Sequence, residues 1–240
     1  MNAQAAAVTT EVRFPLRDGV RYLANEGVML EGSRGRVLID ALFGEGLPQY
    51  STVPPASRDS LERAVGHYGG PALVLVTHAH RDHFDSAAVA RYRRHNPAAV
   101  VVGPPAPGAA SAPPVDLGWV RVQPLAIPHG PTTRPVGHAA YLVTLDGTTA
   151  LHLGDTQSDP ATWRAAGVPE TGVDLALVPC WYALEVGRLE AAMAVLRAKG
   201  VVLFHAALEG GDGSWAAVSR GLRERYPQVR APLVPGEVVE

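Results

Sequence analysis

The sequence predicts an α/β (α+β) fold in which helices cover two packed β-sheets. Short, continuous apolar runs rich in β-branched residues, such as residues 72–76, predict buried strands. Amphipathic runs such as residues 86–95 predict helices between the strands. These elements form two β-rich halves that each carry helices, and such elements bury their apolar faces by packing in layers. We expect a single domain over residues 1–240, with residues 1–15 and 230–240 peripheral.

The composition is that of an ordinary globular protein and excludes several classes. Hydrophobic residues make up 47% of the chain, and the formal net charge of −2 offers no basic surface for nucleic acid or anionic lipid. Cys180 is the only cysteine, so neither an intramolecular disulfide nor a cysteine-based zinc site is expected. No apolar run approaches the length of a membrane span. The first residues lack the basic region and long apolar core of a secretory signal, so we expect a cytoplasmic protein, although a removed export signal would leave the same sequence.

The first half predicts a three-stranded meander followed by alternating helices and strands. Strands are predicted at residues 20–23, 28–31, 36–40, 72–76 and 99–102, and helices at 57–67 and 86–95. Asp40 closes a buried strand, which makes it a candidate to support a metal ligand or to cap a helix. Asp85 stands at the N-cap position of the second helix. The loop at 41–56, punctuated by Gly and Pro, is long enough to line a site.

The second half repeats this alternation. Strands are predicted at residues 120–122, 125–127, 138–145, 148–153, 173–178 and 201–204, and helices at 160–166, 188–199 and 214–225. Asp146-Gly147 is a hairpin signal between two of these strands. Residues 104–114 predict an exposed excursion rather than a domain linker, because strand signals resume directly after them. A Pro-rich tail closes the chain.

The densest group of polar residues directly follows the predicted strand at 72–76. It has the pattern H-x-H-x-D-H and consists of His78, His80, Asp82 and His83. Imidazole and carboxylate are the ligands that suit zinc and its first-row neighbours. A strand that ends in a loop delivers side chains to the rim of a sheet, where open α/β folds place their sites. The stretch therefore predicts a metal site in preference to a solvated histidine-rich turn.

Three further predicted strand ends carry a residue that can bind a metal: His129, Asp155 and His205. Separate strands of one sheet system can bring their ends to a common rim, so residues that are far apart in sequence can converge there. Together with the H-x-H-x-D-H stretch, these residues suffice for two metals with an open position on each. A catalytic site needs such an open position, whereas a structural site is closed.

In order and spacing, these motifs resemble those of the metallo-β-lactamase superfamily over residues 20–210. The segments Asn25-Glu26-Gly27, Leu38-Ile39-Asp40 and Leu153-Gly154-Asp155-Thr156 are most similar to the UlaG-like branch of metal-dependent hydrolases. The resemblance implies a four-layer αβ/βα sandwich. It also implies two metal sites, with His78, His80 and His129 on the first metal, Asp82, His83 and His205 on the second, and Asp155 between them.

Some positions allow two interpretations. His138 is an alternative third histidine for the first metal, since a Gly-His before a strand occurs in the glyoxalase-II-like branch. We prefer His129, which follows a strand at a Pro-His-Gly turn, and we regard His138 as a candidate substrate contact. Trp181 and Tyr182 follow a strand at the same rim and are further candidates for substrate binding. Cys180 is expected to be a buried thiol.

The resemblance and the ligand set predict a metal-dependent hydrolase with a small-molecule substrate and no nucleic-acid or membrane partner. Diiron members of the superfamily that reduce oxygen carry a glutamate in place of His80, so we expect two Zn²⁺ ions, with manganese and iron as alternatives. Hydroxide on the metals, held by Asp82 or Asp155, would attack an ester, a lactone or a phosphodiester. The alternatives are a β-lactamase or nuclease of the same superfamily, or a non-catalytic module that binds a metal or ligand. No loop carries a motif that identifies the substrate or the oligomeric state.

Overall fold

The computed structural model describes residues 19–108, 112–132, 134–207, 214–232, 234–236 and 238–239. Its first half begins with an antiparallel meander and continues with helices between strands. The strands are β1 (Val20–Ala24), β2 (Gly27–Glu31), β3 (Arg36–Ile39), β4 (Ala72–Leu75) and β5 (Val100–Val102), and the helices are α1 (Pro55–Glu62) and α2 (Ser86–His95).

The second half contains the remaining strands and helices. The strands are β6 (Val115–Asp116), β7 (Val120–Leu125), β8 (Ala140–Leu145), β9 (Thr148–His152), β10 (Leu175–Pro179), β11 (Gly200–Phe204), β12 (Val229–Arg230) and β13 (Val238–Val239). The helices are α3 (Trp181–Leu184), α4 (Arg188–Leu196) and α5 (Ser214–Arg225).

These strands form two sheets that pack face to face. The first sheet has the order β13-β1-β2-β3-β4-β5, and the second has the order β12-β11-β10-β9-β8-β7-β6. Apolar side chains from both sheets form the core between them, for example Val28 and Leu73 against Val143 and Leu177. Helices α1 and α2 cover the outer face of the first sheet, and α3 and α4 cover the outer face of the second. The predicted αβ/βα sandwich is confirmed.

Parallel pairing brings several strand ends to one edge of the molecule. β3 pairs parallel with β4 in the first sheet, and β9, β10 and β11 pair parallel in the second. The loops that leave the carboxyl ends of such strands lie together, which is where α/β sheets place their ligands. The loops after β4, β9 and β11 carry the polar residues singled out above.

Two helix predictions had different outcomes. Asp85 caps α2 as predicted, because its side chain accepts a hydrogen bond from the N–H of Ala87 at 2.8 Å. The helix predicted at 160–166 is only a 3₁₀ turn, Pro160–Thr162, in which the side chain of Asp159 accepts a hydrogen bond from the N–H of Ala161. The strands predicted at 120–122 and 125–127 differ as well, since the structure has one strand, β7, in this region.

Two helices end earlier than predicted, because the backbone turns left-handed after them. α1 ends at Glu62 rather than at residue 67, since Ala64 and Gly66 have φ angles of 51° and 60°. α4 ends at Leu196 rather than at residue 199, since its C-cap Arg197 has a φ of 45°. A left-handed residue ends a helix and turns the chain away from its axis.

The end of the chain differs from the prediction that residues 230–240 are peripheral. Val239 pairs with Val20, and Val238 pairs with Arg21, so that β13 forms one edge of the first sheet. Val239 is also part of the core between the sheets. The apolar pair Val238-Val239 explains the difference, since alternation buries one of its side chains.

Residues 1–15 lie outside the described residues. Within the described part of the chain, no helix is long and apolar enough to cross a membrane.

Candidate metal centre

The loop that follows β4 is held tightly at its base. The backbone N–H of Thr77 donates to Oδ1 of Asp40, which stands directly after β3, at 2.8 Å. The N–H groups of His83 and Phe84 both donate to the carbonyl of His80, at 3.0 and 2.9 Å. These bonds fold the H-x-H-x-D-H stretch into a compact turn, so its side chains are presented together at the edge of the sheet.

The other predicted ligands come from loops of the second sheet. His129 forms an isolated antiparallel bridge with Thr156, which joins the loop after β7 to the loop after β9. The N–H of Gly130 donates to the carbonyl of Asp155 at 2.9 Å. His205, after β11, has a left-handed φ of 62°, which is uncommon for a residue other than glycine and typical of functional positions.

Asp155 lies at the centre of the cluster, and its two oxygens face different imidazoles. Oδ2 lies 3.7 Å from Nε2 of His78 and 3.6 Å from Nε2 of His129. Oδ1 lies 3.5 Å from Nε2 of His83 and 3.4 Å from Nε2 of His205. The carboxylate thus has one pair of imidazoles on each side, which is the arrangement of a ligand that bridges two metals.

The first candidate metal position is the group His78, His80, His129 and Asp155, whose ligand atoms all lie within 4.8 Å of one another. Nδ1 of His80 lies 2.9 Å from Nε2 of His78. The structure brings His129, and not His138, into this group.

The second metal position contains His83, His205, Asp82 and the other oxygen of Asp155. Oδ2 of Asp82 lies 3.7 Å from Nε2 of His83 and 3.7 Å from Nε2 of His205. Asn25 orients Asp82, because its side-chain amide donates to the backbone carbonyl of Asp82 at 3.2 Å and to Oδ2 at 3.4 Å. The structure thus brings the other six predicted ligands together around Asp155.

Both positions fit a divalent metal. The separations of 3.4–3.7 Å between nitrogen and oxygen atoms are longer than hydrogen bonds. They match the ~3.4 Å expected between two ligand atoms on one tetrahedral zinc with bonds of ~2.0–2.1 Å. Nε2 of His83, Nε2 of His129 and Oδ1 of Asp155 are buried and have no hydrogen-bond partner. Buried polar atoms are nearly always paired, so these atoms are suited to bind a cation.

Asp40 orients two of the imidazoles from behind. Its Oδ2 lies 3.0 Å from Nδ1 of His83 and also accepts the hydroxyl of Thr77, while the same hydroxyl lies 3.0 Å from Nδ1 of His78. A carboxylate that accepts the Nδ1–H of a histidine leaves its Nε2 free for a metal. Asp40 has a left-handed φ of 46°, a conformation that is uncommon for residues other than glycine and that is often found at functional sites. Asp40 therefore supports a ligand, one of the two roles predicted for it.

Sequence reasoning did not assign a role to Glu26, which the structure places beside the second metal position. Its ligand atom lies within 4.8 Å of those of His83, Asp155 and His205, and the residue has 0% exposure. A glutamate followed by glycine between two strands predicts an exposed turn. The one sequence signal that could have identified Glu26 as part of the site was the resemblance of Asn25-Glu26-Gly27 to a motif of the family.

Burial and facing charges shift the pKa values of the cluster. Burial alone would raise the pKa of Asp155, but the imidazoles of His83 and His205 hold it well below its usual range. Burial alone would lower the pKa of His83, but the carboxylates of Asp155 and Glu26 raise it well above its ordinary value. Burial lowers the pKa of His78, so this imidazole is neutral at pH 7, which is the form that binds metals.

The residues predicted to contact substrate occupy three different environments. His138 lies behind the first metal position: its Nδ1–H donates to the carbonyl of Ile127 at 2.6 Å, and its Nε2 is buried without a hydrogen-bond partner. A Cβ on Gly154 would lie 2.4 Å from this Nε2, so only glycine fits there. The ring of Trp181 packs edge-on against His205 at a centroid distance of 5.3 Å.

Tyr182 does not lie at the rim, which contradicts its predicted role in substrate binding. Its exposure is 0%, its hydroxyl donates to the carbonyl of Ser158 at 2.7 Å, and its ring packs against Trp163 in the outer core of the second sheet. The physical reason is α3, which sequence reasoning missed and which turns Tyr182 inward. Cys180 is a buried thiol as expected, and burial raises its pKa to about 12.

A cleft of about 370 Å³ opens over the metal centre. Ligands from both positions lie on its floor, and the rim comes from the loop after β3 and from the loop after His129. The lining residues besides the ligands include Leu47, Tyr50, Arg81 and Thr132. The cleft makes the metal centre accessible from solvent, as a catalytic site requires.

Comparison with known proteins agrees with this geometry. Residues 19–205 match the family model described as the β-lactamase superfamily domain. A metal-dependent hydrolase of the UPF0173 family from Thermococcus kodakarensis is 29% identical over 250 residues, which cover 92% of this chain and 98% of the relative. The metallo hydrolase Igni18 from Ignicoccus hospitalis has a TM-score of 0.60 at 19% identity, covering 92% of this chain and 96% of that one. The diiron β-hydroxylase CmlA from Streptomyces venezuelae has a TM-score of 0.58 at 14% identity, covering 94% of this chain and 54% of that one.

The fold and the buried cluster of imidazoles and carboxylates define a metal-dependent hydrolase. The chain belongs to the metallo-β-lactamase superfamily, because the family model spans most of its length. The predicted resemblance is therefore confirmed. The match to CmlA is one of fold alone and shows that this fold also occurs in a diiron β-hydroxylase. The fold therefore does not determine the metal, which depends on the ligands of this chain.

Proposed function

We propose that the protein uses two metal ions, most simply two Zn²⁺, to hydrolyse an ester, lactone or phosphodiester bond of a small molecule. The observation that supports this proposal best is the bridging geometry of Asp155, whose two oxygens face separate pairs of imidazoles at 3.4–3.7 Å. A carboxylate shared in this way is suited to hold two metals close enough to act on one bond.

In this proposal the residues divide the work as follows. His78, His80 and His129 hold the first metal, Asp82, His83 and His205 hold the second, and Asp155 is shared. Two zinc ions bound here would lower the pKa of a coordinated water to about 7 and polarise the oxygen of the substrate bond. Asp82 and Asp155 would accept hydrogen bonds from the attacking water and orient it, since Asp155 lies between the imidazoles of the two positions and Asp82 lies beside both imidazoles of the second.

The cleft favours a small substrate. Its volume of about 370 Å³ lies near the lower end of the range for small-molecule pockets. Arg81 is exposed at its rim and Tyr50 lies on its wall, so an arginine and an aromatic ring are available to the part of the substrate that is not cleaved. The proposal includes no nucleic-acid or membrane partner, because a net charge of −2 offers no basic surface for either. It also includes a cytoplasmic location.

Metal analysis combined with a substrate panel tests this function. The purified protein is analysed for metal content, and hydrolysis of aryl esters, lactones and phosphodiesters is measured before chelation, after chelation and after reloading with Zn²⁺. We expect two metals per chain, turnover of at least one class, loss of turnover on chelation and recovery on reloading. Turnover that is untouched by metal removal, or a protein that binds no metal, contradicts the proposal.

The same panel distinguishes the alternatives. Hydrolysis of nitrocefin without hydrolysis of the other compounds would identify a β-lactamase, and cleavage of RNA or DNA alone would identify a nuclease. Two bound metals without turnover of any compound would favour a non-catalytic metal-binding module.

A further inference from the structure

Glu26 is a buried acidic residue whose carboxylate has no hydrogen-bond partner. It lies in the turn between β1 and β2, its exposure is 0%, and both of its side-chain oxygens are buried without a hydrogen bond. Oε2 lies 3.2 Å from Nδ1 of His83, but the hydrogen bond of that nitrogen goes to Asp40. The carboxylate of Glu26 is thus next to the second metal position and is not satisfied by the protein around it.

Neither oxygen of Glu26 is satisfied by the protein, and burial together with the carboxylate of Asp155 raises the pKa of Glu26 well above its ordinary value, so the group keeps its proton in the absence of a metal. A cation close to these oxygens would stabilise the ionised form. Other carboxylates surround the same point. Asp155 and His205 have ligand atoms within 4.8 Å of that of Glu26, and Asp82 lies 3.7 Å from Nε2 of His205. Three acidic side chains, Glu26, Asp82 and Asp155, therefore lie around the imidazole of His205, and a metal cation there would neutralise their combined negative charge.

The two metal positions consequently differ in composition. The first contains three imidazoles and one shared carboxylate, from His78, His80, His129 and Asp155. The second contains two imidazoles with the carboxylates of Asp82, Asp155 and Glu26 nearby. Imidazole suits zinc, whereas carboxylate oxygen suits harder ions such as Mn²⁺.

We propose that Glu26 is a ligand of the second metal position and that the two positions therefore select different metals, zinc in the first and a harder ion of the manganese type in the second. This inference rests on the two-metal site proposed above. It replaces the expected pair of zinc ions by an unequal pair, and it assigns to the β1–β2 turn the residue that makes the difference.

Diffraction at two absorption edges tests the assignment directly. Metal-free protein is loaded with Zn²⁺ and Mn²⁺ in equal excess and crystallised, and anomalous maps are recorded at the zinc and manganese edges. We expect zinc to dominate next to His80 and manganese to be enriched next to His205, with an oxygen of Glu26 coordinated to the second metal. Equal occupancy of both positions by one metal, with Glu26 away from it, overturns the inference.

The variant Glu26→Gln tests the same point in solution. We expect its affinity for Mn²⁺, measured by the Mn²⁺ electron paramagnetic resonance signal, to fall by about 10- to 100-fold while zinc binding at the first position is retained. The metal-free variant should melt at about the same temperature as the wild type, because neither side-chain oxygen of Glu26 makes a hydrogen bond that the substitution could remove. The rise in Tm on adding Mn²⁺ should be smaller in the variant than in the wild type. A glutamate with a purely structural role would instead change the Tm of the metal-free protein and leave the Mn²⁺-dependent rise unchanged.

Controls separate this inference from the proposed function. Glu45→Gln changes an exposed glutamate in the loop after β3 and should leave Mn²⁺ affinity and both melting temperatures unchanged. If Glu26→Gln does not fold, Glu26→Asp is used in its place. Glu26→Asp keeps the negative charge and should keep the manganese preference. Unchanged Mn²⁺ affinity in folded Glu26→Gln would end the inference while leaving a two-metal hydrolase intact. Unequal metals without turnover of any substrate would instead contradict the proposed function alone.

Discussion

The two proposed metal positions share Asp155 but are built differently. The first draws on His80 and His129, which are only partly buried and line the cleft. The second draws on His83 and His205, whose exposures are 0% and 4%. His78 of the first position is also buried, and Asp82 and His205 of the second position also line the cleft. Both positions therefore face a substrate, and they differ in that the first has two imidazoles that are more exposed.

The support behind the ligands also differs between the two positions. At the first position the Nδ1–H of His129 donates to the carbonyl of its neighbour Gly130 at 2.9 Å, and Asp40 reaches His78 only indirectly, through the hydroxyl of Thr77. At the second position it comes from the first sheet, through Asp40 on His83 and Asn25 on Asp82. Ligands that are already ordered cost less to organise on binding. We therefore expect the second position to hold its metal more tightly than the first.

The largest effect is expected for Asp155→Ala, because this residue serves both positions. Removing the shared carboxylate leaves four imidazoles facing one another without the negative charge that balances two cations. We expect loss of at least one metal per chain by elemental analysis and a fall in kcat/KM of at least about 10³-fold. The matched control is Asp159→Ala, four residues further on, where an exposed carboxylate only caps a 3₁₀ turn. Retention of both metals in Asp155→Ala would show that the positions are independent.

A smaller and more selective effect is expected for Asp40→Asn. Oδ1 of Asp40 accepts the N–H of Thr77, so the carbonyl of asparagine keeps that place and its NH₂ faces Nδ1 of His83. The proton of His83 then moves to Nε2, which can no longer bind a metal. We expect the second position to bind its metal about 10- to 100-fold more weakly in chelator competition, with a smaller loss at the first position, which Asp40 reaches only through Thr77.

Asp174→Asn is a close control for this change. Asp174 also accepts from a backbone N–H and a threonine hydroxyl, both of Thr149, but it lies at the opposite end of β10. Loss of the Asp174 carboxylate should lower the free energy of unfolding without affecting metal binding. If Asp40→Asn weakens both metal positions equally, Asp40 acts through the fold as a whole and the asymmetry of the two positions is overstated.

The first position was the easier one to predict from sequence. His78 and His80 stand in a spaced motif after a buried strand, and His129 follows a strand at a turn, so local pattern and chain order sufficed. The layered fold followed from the alternation of strands and helices for the same reason, since each element carries its own periodicity.

The surroundings of the second position depend on long-range packing, which local pattern does not contain. Asn25 and Glu26 have the sequence of an exposed hairpin turn, and only the packing of the two sheets places that turn beneath His205. Tyr182 shows the opposite error: it follows a strand end, as the ligands do, but the short helix α3 turns it inward. Burial of polar turns and the direction of single side chains are tertiary properties, so sequence reasoning reached Asp40 but not Glu26.

The smallest effect is expected for Tyr182→Phe, which tests whether α3 contributes to the second metal position and its substrate contacts. Trp181 touches His205, but the hydroxyl of the next residue, Tyr182, donates to Ser158 in the outer core. Loss of this hydrogen bond should lower the free energy of unfolding by about 1 kcal/mol in denaturant titrations. Metal content, kcat and KM should stay unchanged. Tyr50→Phe, on the cleft wall and edge-on to His205 at 4.2 Å, is the matched comparison and should change KM instead. A raised KM in Tyr182→Phe at unchanged stability would return Tyr182 to the substrate site and extend the second position to α3.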